Sequence, residues 1–120
     1  FHQAVSNERN LAMTSTATIS NTDIQALEKH AQQAADLLKQ LGNVHRLMIL
    51  CTLVNGERSV GELHSLTHLS QSALSQHLAS LRNAGLVQTR REAQSIFYSL
   101  LGSESIQIIS VLKTIYCPTL

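Results

Sequence analysis

The sequence predicts a mainly α-helical domain carrying one small β-hairpin, and three observations lead there. Gly (5) and Pro (1) are scarce among 120 residues, which disfavours collagenous, linker-rich and hairpin-rich chains. Apolar residues recur at three- and four-residue steps along most of the chain, the period of helices packed on one face. One stretch near the C-terminal end switches to alternation, the period of a strand. The length suits a single domain with a proper core and is too short for two. With 43% hydrophobic but only 3% aromatic residues and no Trp, that core has to be aliphatic. Stacking platforms for single-stranded nucleic acid are therefore not expected.

Residues 1–21 are expected to form a flexible arm, part of it a scar of cloning, and residues 22–118 the folded domain. The first stretch shows no sustained period, and a Thr/Ser-rich run follows Met13. From Asp23, Ile24, Leu27, Ala31, Ala34, Leu38 and Leu41 predict one amphipathic helix, with Thr22 and Gln25 as its capping box. Gly42-Asn43 reads as a stop, after which Arg46 to Val54 predicts a shorter apolar helix carrying Cys51 and ended by Asn55-Gly56. Ser59 and Glu62 form a second capping box, starting a short helix to about Leu66. Ser70 caps the next helix, in which Leu74, Leu78 and Leu81 share a face, and Ala84-Gly85 closes it. Two helices joined by Thr-His-Leu have a helix-turn-helix shape.

Leu86 to Arg90 and Ser95 to Leu100 are β-prone, and the polar stretch Arg91-Glu92-Ala93-Gln94 between them predicts a hairpin whose turn lacks the usual Gly. Gly102-Ser103 then starts a last helix. Its apolar residues Ile106, Ile108, Ile109, Val111, Leu112, Ile115 and Tyr116 exceed one face, so a partner subunit is expected to cover the remainder.

Nine Lys+Arg against eight Asp+Glu leave a formal net charge of +1, which excludes a polybasic coat; any nucleic-acid role has to rest on a local cluster. Such a cluster exists. No acidic residue occurs between Leu63 and Arg91, while Arg82, Arg90 and Arg91 are present. The helix capped by Ser70 carries Gln71, Ser72, Ser75, Gln76 and His77 opposite its leucines. These are short groups suited to base edges and phosphates, although any solvated helix shows polar residues opposite a Leu stripe. The longest apolar run, Leu47 to Cys51, is far short of the roughly 20 residues of a bilayer span. No membrane role is expected, and the protein is expected to be cytoplasmic with reduced thiols.

The segment LSQSALSQHLASLRNAGLVQTRREAQSIFYSL, residues 69–100, resembles the recognition helix and wing of the ArsR/SmtB-type bacterial repressors. The Ser-x-x-Ser-x-His-Leu core, the Ala-Gly-Leu-Val exit and the Arg-Arg before an aromatic-containing strand carry the resemblance, which extends from about Ala34 to Pro118. It implies a homodimeric winged helix-turn-helix protein that binds a double-stranded DNA operator. Gln71, Ser72, Ser75, Gln76 and His77 would then face the major groove, with Ser70 and Arg82 also among the DNA-binding residues and Arg90, Arg91 and Gln94 in the wing. The dimer would use the first and last helices, through Ile24, Leu27, Ile108, Ile109, Leu112, Ile115 and Tyr116. Ala93 departs from the Gly that many members carry at the wing turn.

Many members sense metals, yet the familiar ligand sets are missing. Where one site has Cys-x-Cys, this chain reads Ser59-Val60-Gly61-Glu62-Leu63-His64, and Glu104 to Cys117 contains no His. His64 and His68 stand four apart, but two imidazoles alone do not close a site. No metal and no cofactor is therefore expected. Taken singly, a Cys within Leu50-Cys51-Thr52-Leu53 reads as a small buried hydrophobe. Together, Cys51 and Cys117 in the contexts Ile-Leu-Cys and Ile-Tyr-Cys-Pro resemble the branch of the family that responds to reactive sulfur. That resemblance implies a repressor whose two thiols are linked by persulfides or polysulfides, releasing DNA. Two competing readings are a metal sensor of the same fold and a small thiol redox enzyme. Against the enzyme, the chain has no CxxC and no cationic neighbour of Cys51 in sequence, and no catalytic residue is assigned.

Overall fold

The structure, a computed structural model, describes residues 18–118; the arm expected over residues 1–21 lies, up to residue 17, outside the described residues. The chain divides into two compact units, one ending at Ala34 and one beginning at Ala35.

Helix α1 (Asn21–Lys29) opens on a reciprocal cap: the Asp23 amide donates to Ser20 Oγ at 3.1 Å and the Ser20 amide donates to Asp23 Oδ2 at 3.3 Å. The cap therefore falls at Ser20–Asp23 and not at Thr22–Gln25. An ionised carboxylate in the first turn is a stronger acceptor than an amide and also complements the helix dipole. The single helix expected to Leu41 is interrupted at His30, whose φ of −114° and ψ of 13° leave the helical region, and α2 (Ala31–Leu41) follows. No residue of α1 is buried, and Ile24 and Leu27 are both about half exposed.

Asn43 is more than a stop. Its Oδ1 accepts from the amides of His45 and Arg46, both at 3.0 Å, so α3 (Val44–Leu53) starts two residues earlier than expected. The Arg46 guanidinium reaches back to the carbonyls of Gln40 and Lys39 at 2.9 and 3.1 Å, satisfying the open end of α2. Helix α4 (Val60–Thr67) has the expected Ser59–Glu62 box, and α5 (Gln71–Asn83) has Ser70 Oγ accepting from the Ala73 amide at 3.1 Å. Between α4 and α5, His68 takes a left-handed φ of 58°, which turns the chain within three residues.

Strands β2 (Val87–Glu92) and β3 (Ser95–Leu100) form the hairpin, closed by the two-residue turn Ala93-Gln94 with Ala93 at φ 56°. The sheet has a third strand that sequence reading missed: β1 (Arg58–Ser59) pairs antiparallel with β3, Arg58 opposite Tyr98 and Ser59 opposite Phe97, giving the order β1-β3-β2. Helix α6 (Glu104–Tyr116) completes the chain.

The core is aliphatic, as the composition requires. Leu41, Ile49, Leu50, Leu53, Leu63, Leu74, Leu78, Leu81, Leu86 and Val87 are buried, with Tyr98, Leu100, Ile108 and Ile109 leaning on them. Along α6, Ile108 and Ile109 thus face inward and Leu112 is half-buried, while Ile106, Val111, Ile115 and Tyr116 are exposed, Tyr116 to 77%. The described residues cover only part of the apolar surface of this helix.

Candidate nucleic-acid interface and thiol pair

Three buried leucines, Leu74, Leu78 and Leu81, fix the rotation of α5. Ser80 Oγ pins the same helix to Gln40 Oε1 at 3.0 Å. This orientation leaves Gln71, Ser72, Ser75 and Gln76 exposed on one continuous stripe beginning at the cap residue Ser70, whose Oγ lies 3.4 Å from that of Ser72. The stripe carries donors and acceptors but no carboxylate, so it can meet an anionic, hydrogen-bonding surface without repulsion. It also runs from a helix N-terminus, where the first amides favour phosphate.

His77 is placed differently from its neighbours. It is half-buried, its ring 5.6 Å from that of His45 on α3. Burial first, then Arg46 and His45, holds its imidazole below the usual histidine range. It therefore favours the neutral form at neutral pH.

The arginines of the cluster separate into two kinds. Arg82 and Arg91 are exposed, and neither has an ion pair among the described residues. Arg90 Nε and Nη2 instead grip Glu57 at 2.7 and 2.8 Å, and Nη1 donates to Glu92. Its Cζ stands 4.5 Å from the Phe97 ring centroid. Between α5 and the sheet runs an open cleft of about 540 Å³, with Ser75, Arg82, Asn83 and Tyr98 as its polar lining. Gln94 sits exposed at the tip of the wing.

Both cysteines are free thiols, Cys51 half-buried and Cys117 exposed. Cys51 lies on α3 between the core residues Leu50 and Leu53, and burial pushes its thiol up. Cys117 follows α6, its amide donating to the Lys113 carbonyl at 2.7 Å. Among the described residues no group of three or more His, Cys, Asp or Glu could hold a metal ion. His64 and His68 are both exposed. No helix among the described residues is long and apolar enough to cross a membrane.

The helix-turn-helix and the start of the hairpin, residues 43–89, match the family model described as bacterial regulatory protein, arsR family. The transcriptional activator HlyU of Vibrio cholerae is 53% identical over 95 residues, which cover 79% of this chain and 88% of that protein. The chain belongs to the ArsR family. Among solved structures, reduced HlyU from V. cholerae aligns with a TM-score of 0.72 at 54% identity, covering 78% of this chain and 98% of that one. The transcriptional repressor BigR from Xylella fastidiosa aligns with a TM-score of 0.74 at 46% identity, covering 78% and 95%. The ArsR family consists of DNA-binding transcriptional regulators and is not enzymatic. The α4–α5 pair with its β2–β3 wing is the winged-helix arrangement of its members.

Proposed function

We propose that the chain is a homodimeric repressor that binds a pseudo-palindromic DNA operator when reduced and releases it when persulfides or polysulfides link Cys51 and Cys117. The observation that carries this reading is the contrast between its two free thiols. One is half-buried on a helix whose neighbouring residues belong to the core that also anchors α5; the other is exposed behind α6. A bond between them would join α3 to the end of α6, and displacement of α3 would be felt by the recognition helix through Ile49, Leu50 and Leu53. Ser70, Gln71, Ser72, Ser75 and Gln76 would read the major groove, with His77 at its edge and Arg82, Arg91 and Gln94 on the backbone. Ile24, Leu27, Leu112, Ile115 and Tyr116 would form the dimer contact, with Ile108 and Ile109 behind them. The relative HlyU has been solved in a form described as reduced, which agrees with a thiol state that matters.

The chemistry balances. The Cys117 thiolate attacks the outer sulfur of a hydropersulfide RSSH, the S–S bond breaks, and RS⁻ leaves with the proton to follow, giving Cys117–S–SH. Cys51 reacts likewise, more slowly because burial disfavours its thiolate. The terminal sulfur of the Cys51 persulfide then attacks Cys117 Sγ and expels HS⁻, leaving a trisulfide. Each inserted sulfur lengthens the bridge by roughly 2 Å, so persulfides would span a gap that peroxide could not close without backbone movement. Closing so long a loop constrains the chain by about 4 kcal/mol less any strain. A coupling of about 1–3 kcal/mol to DNA affinity is typical of an allosteric switch.

The test uses a duplex selected by the reduced protein from a random pool. Two protected half-sites about 34 Å apart are expected, with release by a persulfide donor at doses where hydrogen peroxide leaves the complex intact. A single asymmetric half-site contradicts the dimer. Equal release by peroxide reduces the proposal to a general thiol-oxidation switch, and release by stoichiometric zinc or copper replaces it with a metal sensor.

A further inference from the structure

Arg90 and Arg91 are adjacent in β2 and look interchangeable in sequence, but their side chains lie on opposite faces of the sheet. Arg90 stands opposite Phe97, which on its other side stands opposite Ser59 of β1. The guanidinium lies over that ring and makes a forked pair of hydrogen bonds to Glu57, two residues before the end of β1, with a third bond to Glu92. Two carboxylates thus face one cation. For Arg90 to hold a DNA phosphate, it would have to abandon both and leave them unpaired beside a polyanion.

We propose that Arg90 is a positioning residue that clamps the wing to the segment joining α3 to α4, and that Arg91 alone of the two contacts the DNA backbone. The clamp closes the sheet edge at a point where β1 contributes only two residues to the ladder. It also ties the wing to the turn that ends the Cys51-bearing helix. The Arg90 bond holds the Glu57 carboxyl below its ordinary range, so the clamp stays charged throughout the neutral range. The proposal rests on the reading that the wing meets DNA.

Charge-preserving variants test it, because they break the fork without changing the field around the DNA. Arg90→Lys and Glu57→Asp are each expected to weaken binding to a labelled random-sequence duplex of about three helical turns by about threefold. The slope against salt should stay unchanged, and the double variant should be no weaker than either single one. Amide hydrogen exchange in β2 and β3 should quicken in all three. A phosphate contact gives the opposite pattern: a lysine keeps the point charge that a phosphate needs and the salt slope with it, Arg90→Gln lowers the salt slope by about one, and Glu57→Asp leaves binding unchanged or tighter. That pattern, additive single effects, or unchanged hairpin exchange overturns the clamp. If Arg91→Ala also leaves the slope unchanged, the wing reading itself has failed, and the exchange rates alone then decide the clamp.

Discussion

Helices α5 and α6 are both thirteen residues long, and both hang from the same aliphatic core, yet their outer faces have opposite chemistry. The first buries three leucines and presents Gln71, Ser72, Ser75 and Gln76; the second leans on the core with Ile108 and Ile109 and presents Ile106, Val111, Ile115 and Tyr116. A polar face is complete in water and available for directional hydrogen bonds. An apolar face is complete only when something covers it. On the proposed function, the polar face of α5 is the one that reads DNA and the apolar face of α6 the one that a second subunit covers.

The largest expected effect separates the inner faces from the outer ones. Leu78→Ala, at a position 2% exposed, should cost about 2–5 kcal/mol in urea unfolding. Ile115→Glu, at 58% exposure, should leave the subunit folded by circular dichroism while sedimentation shows monomer at low micromolar concentration. An intact Ile115→Glu dimer would move the adhesive face elsewhere. Substitution at Ile108 or Ile109 is a poorer test, because those side chains also support the core and their loss would unfold as readily as dissociate.

On the reading helix, Gln76→Ala or Ser72→Ala should lower discrimination between selected and random duplexes by about 1–3 kcal/mol where the side chain meets a base. Arg91→Ala should weaken all sequences alike and reduce the salt slope by about one. If Gln76→Ala behaved like Arg91→Ala, the polar stripe would be a backbone contact and not a reader.

A smaller effect concerns His77, the residue of α5 turned toward α3. Its folded-state pKa is depressed, so as the pH falls below about 6.5 the unfolded chain takes up a proton that the folded one resists. Stability should therefore decline from about pH 6.5 down through the folded pKa. The thermal midpoint of His77→Gln should fall less over that window than that of the parent chain. Equal declines would show that His77 does not sense its buried, cationic surroundings.

The smallest expected change is a gain. Ala93 occupies a left-handed conformation that costs a residue with Cβ about 1 kcal/mol, partly offset by the greater chain entropy of Gly when unfolded. Ala93→Gly should raise stability by some tenths of a kcal/mol in urea titrations; a loss would mean that the turn relies on the alanine methyl group.

Most of what positions the reading helix was legible because it is local. The Ser59–Glu62 box, the Ser70 cap, the three leucines of α5 and the Gly85 exit are all contained within a few residues. What escaped depends on distant partners. Glu57 and Arg90 are 33 positions apart, β1 is too short to show a period, and the His45–His77 contact joins two helices whose neighbourhood no local pattern reveals. The break at His30 escaped for another reason: neither Gly nor Pro marks it, and apolar spacing continues across it. Cys51 was legible only as a small buried hydrophobe, whereas the structure leaves it half-buried, and Cys117 only as the residue after a helix; resemblance, not pattern, suggested pairing them.

The doubly substituted chain Cys51→Ser/Cys117→Ser separates the dithiol switch from every other route to DNA release. Binding to the selected duplex and intact mass are measured on the same samples before and after a persulfide donor. The parent chain is expected to lose affinity as it gains an intramolecular Cys51–Cys117 link with one or more added sulfurs. The double variant is expected to bind with unchanged affinity, before and after treatment, with unchanged mass. Release of the double variant by persulfide, or full release of the parent chain without a link between the two cysteines, would show that Cys51 and Cys117 are not the switch.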